Sequence, residues 1–270
     1  METNKHLFAF FQGAAEIANV SANLSKMETQ LCKAAAVGAE LLIFPELFLT
    51  GYHVPGEEMK RLAEERDGPS FRELSRTARE SNIAVLYGYP EVDRSSGAPV
   101  YYNSAQLIDR DGTSLVNYRK THLWIDEEGY EKVFRPGESF AEIAECCGVK
   151  IGVLICFDVE YPECVRTLAL RGAQFVGVPT AIKYSMRTKI VPGSMIPCRA
   201  RENGLYVAYV NSSGDFFGGH SISSDPNGDV LVQAGRDEQM ALFFVDPNLK
   251  PSCDFMSMRK PSVYSCTCTQ

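Results

Sequence analysis

The chain repeats itself. Three short patterns recur in the same order along its 270 residues. Gly38-Ala39-Glu40, four strand-forming residues and Pro45 return as Gly172-Ala173-Gln174, four strand-forming residues and Pro179. Ala78-Arg79-Glu80-x-x-Ile83-x-Val85-x-Tyr87 returns as Ala200-Arg201-Glu202-x-x-Leu205-x-Val207-x-Tyr209. Asp109-x-x-Gly112-x-x-Leu115-Val116 returns as Asp225-x-x-Gly228-x-x-Leu231-Val232. A chain built this way folds as two like units. Each half predicts a strand (7–12, 150–156), a helix (21–37, 163–171), a buried strand (40–44, 174–178), a second helix (70–80, 195–203) and a third strand (83–89, 206–211). A hairpin closes each half, with Asp, Pro, Asn and Gly supplying the turns. Strands alternating with helices make the class α/β. Two equivalent sheets point to a sandwich, sheets face to face and helices outside.

Residues 1–270 read as one domain, and a segment from about 247 to 270, rich in Pro, Ser and Cys, falls outside the repeat. That segment is either an arm over a partner subunit or a flexible tail. The net charge of −7, with no Lys/Arg cluster, argues against nucleic-acid binding. No apolar run reaches the roughly 18–20 residues of a membrane span. The start, Met1-Glu2-Thr3-Asn4-Lys5-His6, lacks a basic leader region and a cleavage site, so a cytoplasmic location is expected. The nine cysteines form no C-x-x-C pair and the four histidines never stand four apart. Neither a metal centre nor an organic cofactor is expected.

Three segments carry candidate chemistry. In 149–163 an apolar run ends at Cys156, and Tyr161-Pro162-Glu163 opens a helix. A thiol at a strand end, facing a helix N-terminus, is expected to have a lowered pKa. Glu46 leaves the buried strand 40–44 with apolar residues on both sides, where a carboxylate is either paired or raised in pKa. Lys120 follows the first hairpin, and strand alternation sends it and Arg119 to opposite faces. Taken singly, Cys156 reads as a structural thiol, Glu46 as a salt bridge or cap, and Lys120 as a solvated charge. A Cys–His pair needs a histidine base, and neither His122 nor His220 has a context that singles it out.

Together the three segments resemble the carbon–nitrogen hydrolase (nitrilase) superfamily along essentially the whole chain. The resemblance rests on Phe44-Pro45-Glu46, Tyr118-Arg119-Lys120 and Cys156, supported by Arg199-Ala200-Arg201-Glu202-Asn203, Val210-Asn211 and Gly219-His220-Ser221. It implies a four-layer αββα sandwich, a homodimer or higher homo-oligomer, and a C-terminal segment that crosses to the neighbour. It also implies a second glutamate supporting the lysine, for which Glu131 is the choice, with Glu127 and Glu128 close by. Cys156-Phe157-Asp158, Tyr87-Gly88-Tyr89-Pro90-Glu91 and Lys120-Thr121-His122-Leu123 resemble the stereoselective aliphatic amidase branch.

The activity implied is hydrolysis of a small-molecule amide through a thioester. Glu46 would act as base, Cys156 as nucleophile, and Lys120 with the Phe157 N–H as oxyanion donors. Omega-amidase, nitrilase and N-carbamoyl amino acid hydrolase activity follow in that order, and a catalytically silent binding module or a cysteine peptidase are readings from other classes. The segments 52–59, 124–135 and 180–192 should ring the pocket, with Tyr52, Phe157, Thr180 and Ala181 touching substrate. Lys183, Arg187 and Lys189, with Tyr184, read either as a carboxylate-binding group or as solvated loop charges.

Overall fold

The computed structural model describes residues 5–140, 143–185 and 187–264, with the side chains of 187 and 188 outside the description. Two six-stranded sheets face each other. In the first, β1 (His6–Gln12), β2 (Leu41–Ile43) and β3 (Ala84–Asp93) run parallel, and β4 (Val100–Ile108) and β5 (Ser114–Arg119) continue antiparallel. The second repeats this with β7 (Val149–Val153), β8 (Phe175–Thr180) and β9 (Tyr206–Asn211), then β10 (Ile222–Ser224) and β11 (Val230–Gln233). Beyond β1 and β7 each sheet gains one antiparallel strand, from the adjoining stretch of chain at β7 and from the far end of the chain at β1. β6 (Ala144–Cys146) lies beside β7, and β12 (Gln239–Val245) beside β1.

Strand alternation sorts the core into layers. Phe8, Phe10, Leu41 and Ile43 point between the sheets, toward the β8 face that carries Phe175 and Gly177; Phe8 packs edge-on against Phe175 at 5.3 Å. Their neighbours Ala9, Phe11, Leu42 and Phe44 point outward. There they meet Met27, Leu31 and Ala34 of α1 (Val20–Ala36) and Leu74 and Ala78 of α3 (Pro69–Ser81). On the other side, α4 (Pro162–Leu170) and α6 (Ile196–Asn203) contribute Cys164, Val165, Leu168, Ile196 and Ala200. The order is helices, sheet, sheet, helices, the αββα sandwich expected from the repeat. The shorter helices are α2 (Gly56–Leu62), α5 (Arg187–Ile190) and α7 (Pro261–Tyr264). None of the described helices is long and apolar enough to cross a membrane.

Two expected elements differ in a way that matters. The strand expected to end at Cys156 ends at Val153, and a 3-10 turn, Cys156–Glu160, separates it from α4. The helix expected over 195–203 is the last part of a longer helical run that includes a π-helical stretch, Val191–Met195. Pro197 has no N–H to give to the carbonyl four residues back, which favours a widened turn there. The segment after Pro247 stays at the surface: the Gln174 amide donates to the Pro247 carbonyl and the Ser252 N–H to Asn227 Oδ1.

Gly88 of β3 holds open the space for the loop after β2. A Cβ at Gly88 would lie 2.5 Å from the Leu47 nitrogen, 2.8 Å from Glu46 Cα and 2.9 Å from the Pro45 carbonyl oxygen. All three are backbone atoms, so the loop itself must move. Gly88→Ala is therefore expected to leave a folded protein with Glu46 displaced. A shift on the order of 1 Å at a reacting group costs roughly 10²-fold in rate. Circular dichroism with turnover measurement checks this, and unchanged turnover would show that the Glu46 loop tolerates displacement.

Candidate active site

Parallel strands of both halves deliver their C-terminal ends to one place, where ligands of α/β folds gather. The loop after β2 carries Glu46, the residue after β5 is Lys120, and the turn after β7 begins with Cys156. Glu46 and Thr180 occupy equivalent positions in the two halves, and the Glu46 N–H donates to the Thr180 carbonyl at 3.3 Å. Lys120 is held in place from its backbone, its N–H donating to Asn103 and its carbonyl accepting from Gly137, each at 2.8 Å.

The Lys120 ammonium is fully buried and donates to Glu46 Oε1 at 2.7 Å and Glu131 Oε1 at 2.6 Å. Arg119 turns the other way and pairs with Glu91 and Asp93, as strand alternation requires. Glu131 sits in a 3-10 turn, Tyr130–Val133, and is saturated: Tyr52 Oη also donates to Oε1, and the Trp124 N–H donates to Oε2, both at 2.8 Å. Glu127 and Glu128 make no such contact, and Glu128 pairs with Lys183 instead. Glu46 is less fully engaged. Its Oε1 accepts from Lys120 and from Asn103 Nδ2 at 2.8 Å, while Oε2 is buried with no hydrogen-bond partner among the described residues.

Burial pushes the Glu46 carboxyl up to about 7, with Lys120 opposing the shift and Glu131 adding to it. Burial alone would lower the Lys120 ammonium, but Glu131 and Glu46 outweigh it and hold it well above the ordinary lysine range. The expectation of a lowered Cys156 pKa is overturned. Burial and the Glu46 carboxylate push the thiol well up, and the opposing effects of Lys120 and the Ala181 N–H do not compensate. The helix expected to face the sulfur begins only at Pro162, beyond the 3-10 turn. Cys156 therefore rests as a thiol and needs a base. Tyr52 is likewise raised far above the tyrosine range, chiefly by burial, and stays a donor to Glu131.

Cys156 adopts a left-handed backbone, φ 47°, which side chains rarely take. Asp158 holds it there. Its Oδ2 accepts from the Ile155 N–H at 3.1 Å and Tyr118 Oη at 2.9 Å, and its Oδ1 accepts from Thr121 Oγ1 and the His122 N–H, both at 2.9 Å. One buried carboxylate thus ties the Cys156 turn to the strand end that carries Lys120. Asp158 and Asn103 are the residues that sequence reasoning did not single out. Asn103 is one of many polar residues in a strand, and only the pairing of β4 with β3 and β5 sets it against Glu46.

A cavity of about 230 Å³ opens beside the sulfur, lined by Tyr52, Trp124, Cys156, Phe157, Ala181 and Ile182, with Asp126, Glu128, Lys183 and Ser185 toward its mouth. Of the four residues expected to touch substrate, Tyr52, Phe157 and Ala181 line it. Thr180 does not: β8 runs through it, and its fully buried hydroxyl donates back to the Val178 carbonyl. Lys183 is engaged by Glu128 and lies 4.6 Å above the Phe216 ring, while Tyr184 and Lys189 are exposed. Arg187 falls outside the described side chains.

Residues 7–249 match the family model described as carbon-nitrogen hydrolase. The chain is 38% identical to "Hydrolase in pqqF 5'region" of Pseudomonas protegens, covering 95% of this chain and 90% of that protein. It is 37% identical to an (R)-stereoselective amidase of Pseudomonas sp., covering 80% and 76%. Two structures of an amidase from Nesterenkonia sp. AN1 superpose with TM-score 0.85 at 29% identity. One, a double mutant in complex with acrylamide, covers 99% of this chain and 98% of that one. The other, a mutant with the acetamide moiety of fluoroacetamide added covalently at its active-site cysteine, covers 98% of both.

The electrostatics set a pH dependence. Attack by Cys156 on an alkylating agent requires Glu46 ionised, so alkylation by iodoacetamide should rise with pH through a midpoint near 7. Glu131→Gln removes a charge that raises Glu46, so the midpoint should move to lower pH. Peptide mapping resolves Cys156 from the exposed Cys32 and Cys198. A midpoint at an ordinary thiol value of about 8.5 would contradict the coupling.

Proposed function

The chain belongs to the carbon–nitrogen hydrolase family, and from that premise we propose that it hydrolyses small, uncharged primary amides through a thioester on Cys156. The observation that carries the catalytic assignment is the unengaged Glu46 Oε2, a buried oxygen on a carboxyl close enough to the buried Cys156 thiol to raise it, with an ammonium fixed on the opposite oxygen.

In the first step Glu46 takes the Sγ proton as sulfur bonds to the amide carbon and the carbonyl electron pair moves to oxygen. The oxyanion is received by Lys120 and the Phe157 N–H. An ammonium has three protons, and the two carboxylates use two of those on Lys120. The third is the donor for the oxyanion. Protonated Glu46 then gives its proton to nitrogen as the C–N bond breaks and ammonia leaves. Water attacks the thioester while Glu46 takes its proton. The C–S bond breaks, the acid departs, and the proton returns to sulfur. Glu131 is a positioning residue: it fixes the ammonium and raises Glu46 without reaching the substrate.

The cavity supports the preference for uncharged amides. Its wall is aromatic and aliphatic, and Lys183 at the mouth is already neutralised by Glu128, with Asp126 adding a further negative charge. Burial raises the Asp126 carboxyl, but hydrogen bonds from the Gly129 N–H and the Trp124 indole, with the nearby Lys183 charge, hold it below the usual carboxylate range. A substrate carboxylate would meet net repulsion there. Glu128→Gln frees Lys183 and should improve kcat/KM for carboxylate-bearing amides relative to neutral ones of the same length. A reading as an omega-amidase requires the opposite ranking in the unaltered protein.

We further place the protein in a reducing, cytoplasmic setting and as a homo-oligomer in which the segment after 247 covers a second copy. Seven free cysteines among the described residues support the first. Exposed Phe255, Met258, Val263 and Tyr264 on that segment support the second.

Cys156→Ala should abolish ammonia release with the melting temperature essentially kept. Intact mass should show an acyl adduct on the unaltered protein, but not on the variant, after exposure to neutral primary amides. Turnover surviving in Cys156→Ala would sink the mechanism, and activity confined to nitriles would overturn the substrate class.

A further inference from the structure

At the end of the sandwich away from the nucleophile, where β1, β2 and β7 begin, the two sheets bring together Asp109, Cys146 and Cys147. We propose that these three side chains form a binding site for a thiophilic divalent cation, Zn²⁺ being the representative, which ties the two sheets together at that end.

The donors come from hairpins of different sheets. Asp109 opens the turn between β4 and β5, while Cys146 ends β6 and Cys147 begins the turn into β7. Cys146 Sγ lies 3.7 Å from Cys147 Sγ and 3.4 Å from Asp109 Oδ1, and all three ligand atoms fall within 4.8 Å of one another. Tetrahedral zinc with Zn–S near 2.3 Å and Zn–O near 2.1 Å sets its ligand atoms about 3.8 Å (S to S) and about 3.6 Å (S to O) apart. The spacings of Cys146 Sγ to Cys147 Sγ and to Asp109 Oδ1 are of that size. Thiolates favour a soft or borderline cation over Ca²⁺ or Mg²⁺.

A further observation points the same way. Cys147 and Gly148 form a two-residue hairpin turn with both residues left-handed, φ 52° and φ 72°. Asn, Asp or Gly fits the first of those positions without strain, and cysteine does not. The sequence keeps a thiol where its backbone is unfavourable. His6 stands beside Gly148 but lies outside the group of mutually close ligand atoms, so water fills the fourth coordination position. C-x-x-C spacing gave no hint of such a site because its two cysteines are adjacent and Asp109 lies 37 residues before Cys146. It stands apart from the catalytic assignment and does not depend on it.

The test uses the full chain with Cys156→Ala, which removes the competing nucleophile, and Co²⁺ and Zn²⁺ as probes. One equivalent of Co²⁺ should produce thiolate-to-cobalt charge-transfer absorption with the visible bands of a tetrahedral site, and Zn²⁺ should displace it and raise the melting temperature. Adding Cys147→Asn suits the left-handed turn, so the protein should fold at least as well, yet Co²⁺ affinity should fall at least tenfold and the zinc-dependent rise in melting temperature should vanish. Asp109→Asn should weaken binding while keeping the charge-transfer band. The proposal is overturned if no thiolate band appears, or if the band persists undiminished in Cys147→Asn. Protein two hydrogens lighter than the free-thiol mass, mapped to a Cys146–Cys147 disulfide under reducing purification, also overturns it.

Discussion

An ammonium with no water around it has to be neutralised from within the protein, and Lys120 is such an ammonium. Its side chain is completely buried, as are those of Glu46 and Glu131. Removing three charged groups from water is unfavourable by several kcal/mol each unless they compensate one another closely. Breaking such a cluster by deleting one member typically costs about 3–5 kcal/mol, because the remaining charge stays buried and unpaired. The cluster can exist only if loops from β2, from β5 and from the turn at Tyr130 all arrive together. The sandwich positions the charges, and the charges in turn bind its loops into one end of the molecule.

Duplication explains how so much converges. Two copies of a β–α–β–α–β unit facing each other place the ends of their parallel strands against a common seam. Equivalent positions then meet: the backbone of Glu46 bonds to that of Thr180, its counterpart in the other half. The halves have divided the work. One supplies the carboxylates and the ammonium, and the other supplies the sulfur and the wall formed by Ala181 and Ile182. The N-terminal ends of the same strands, at the far side, carry the second cluster of Asp109 and the paired cysteines. Both ends are thus places where side chains from the two halves meet.

Much of this was legible in the chain because it rests on period and punctuation. The repeat predicts two facing sheets and the succession of strands and helices along each half, and strand alternation separates Lys120 from Arg119. Glu46 and Cys156 stand out because each ends an apolar run, and Lys120 because it follows the first hairpin. What was not legible depends on distance across sheets. Asn103 acquires its place only through the pairing of β4 with β5, and Asp158 only through the fold of the 3-10 turn back toward Thr121 and His122. Thr180 looked like a loop residue by analogy with Glu46, but β8 runs on through it where β2 stops at Ile43. The pKa of Cys156 was misread for a related reason. A helix was expected to follow the strand directly, and the intervening turn removes its N-terminus from the sulfur, so burial and a neighbouring carboxylate decide instead.

That reversal changes how the site has to work. A thiol held neutral beside a carboxyl raised to about 7 are two groups moved in the same direction by the same burial. Proton transfer from sulfur to Glu46 in the empty site exchanges one buried anion for another and brings no electrostatic gain. With an amide carbonyl in place, the negative charge moves past sulfur to the carbonyl oxygen. Lys120 can serve that oxygen while it still holds Glu46. The ammonium's compensation is transferred from one anion to the other within the same shell of contacts, so no charge is left uncovered at any point. Such a site holds no standing thiolate at rest, so an electrophile reaches the sulfur only as Glu46 takes its proton. Its reactivity is set by the geometry of the acceptor rather than by a standing thiolate.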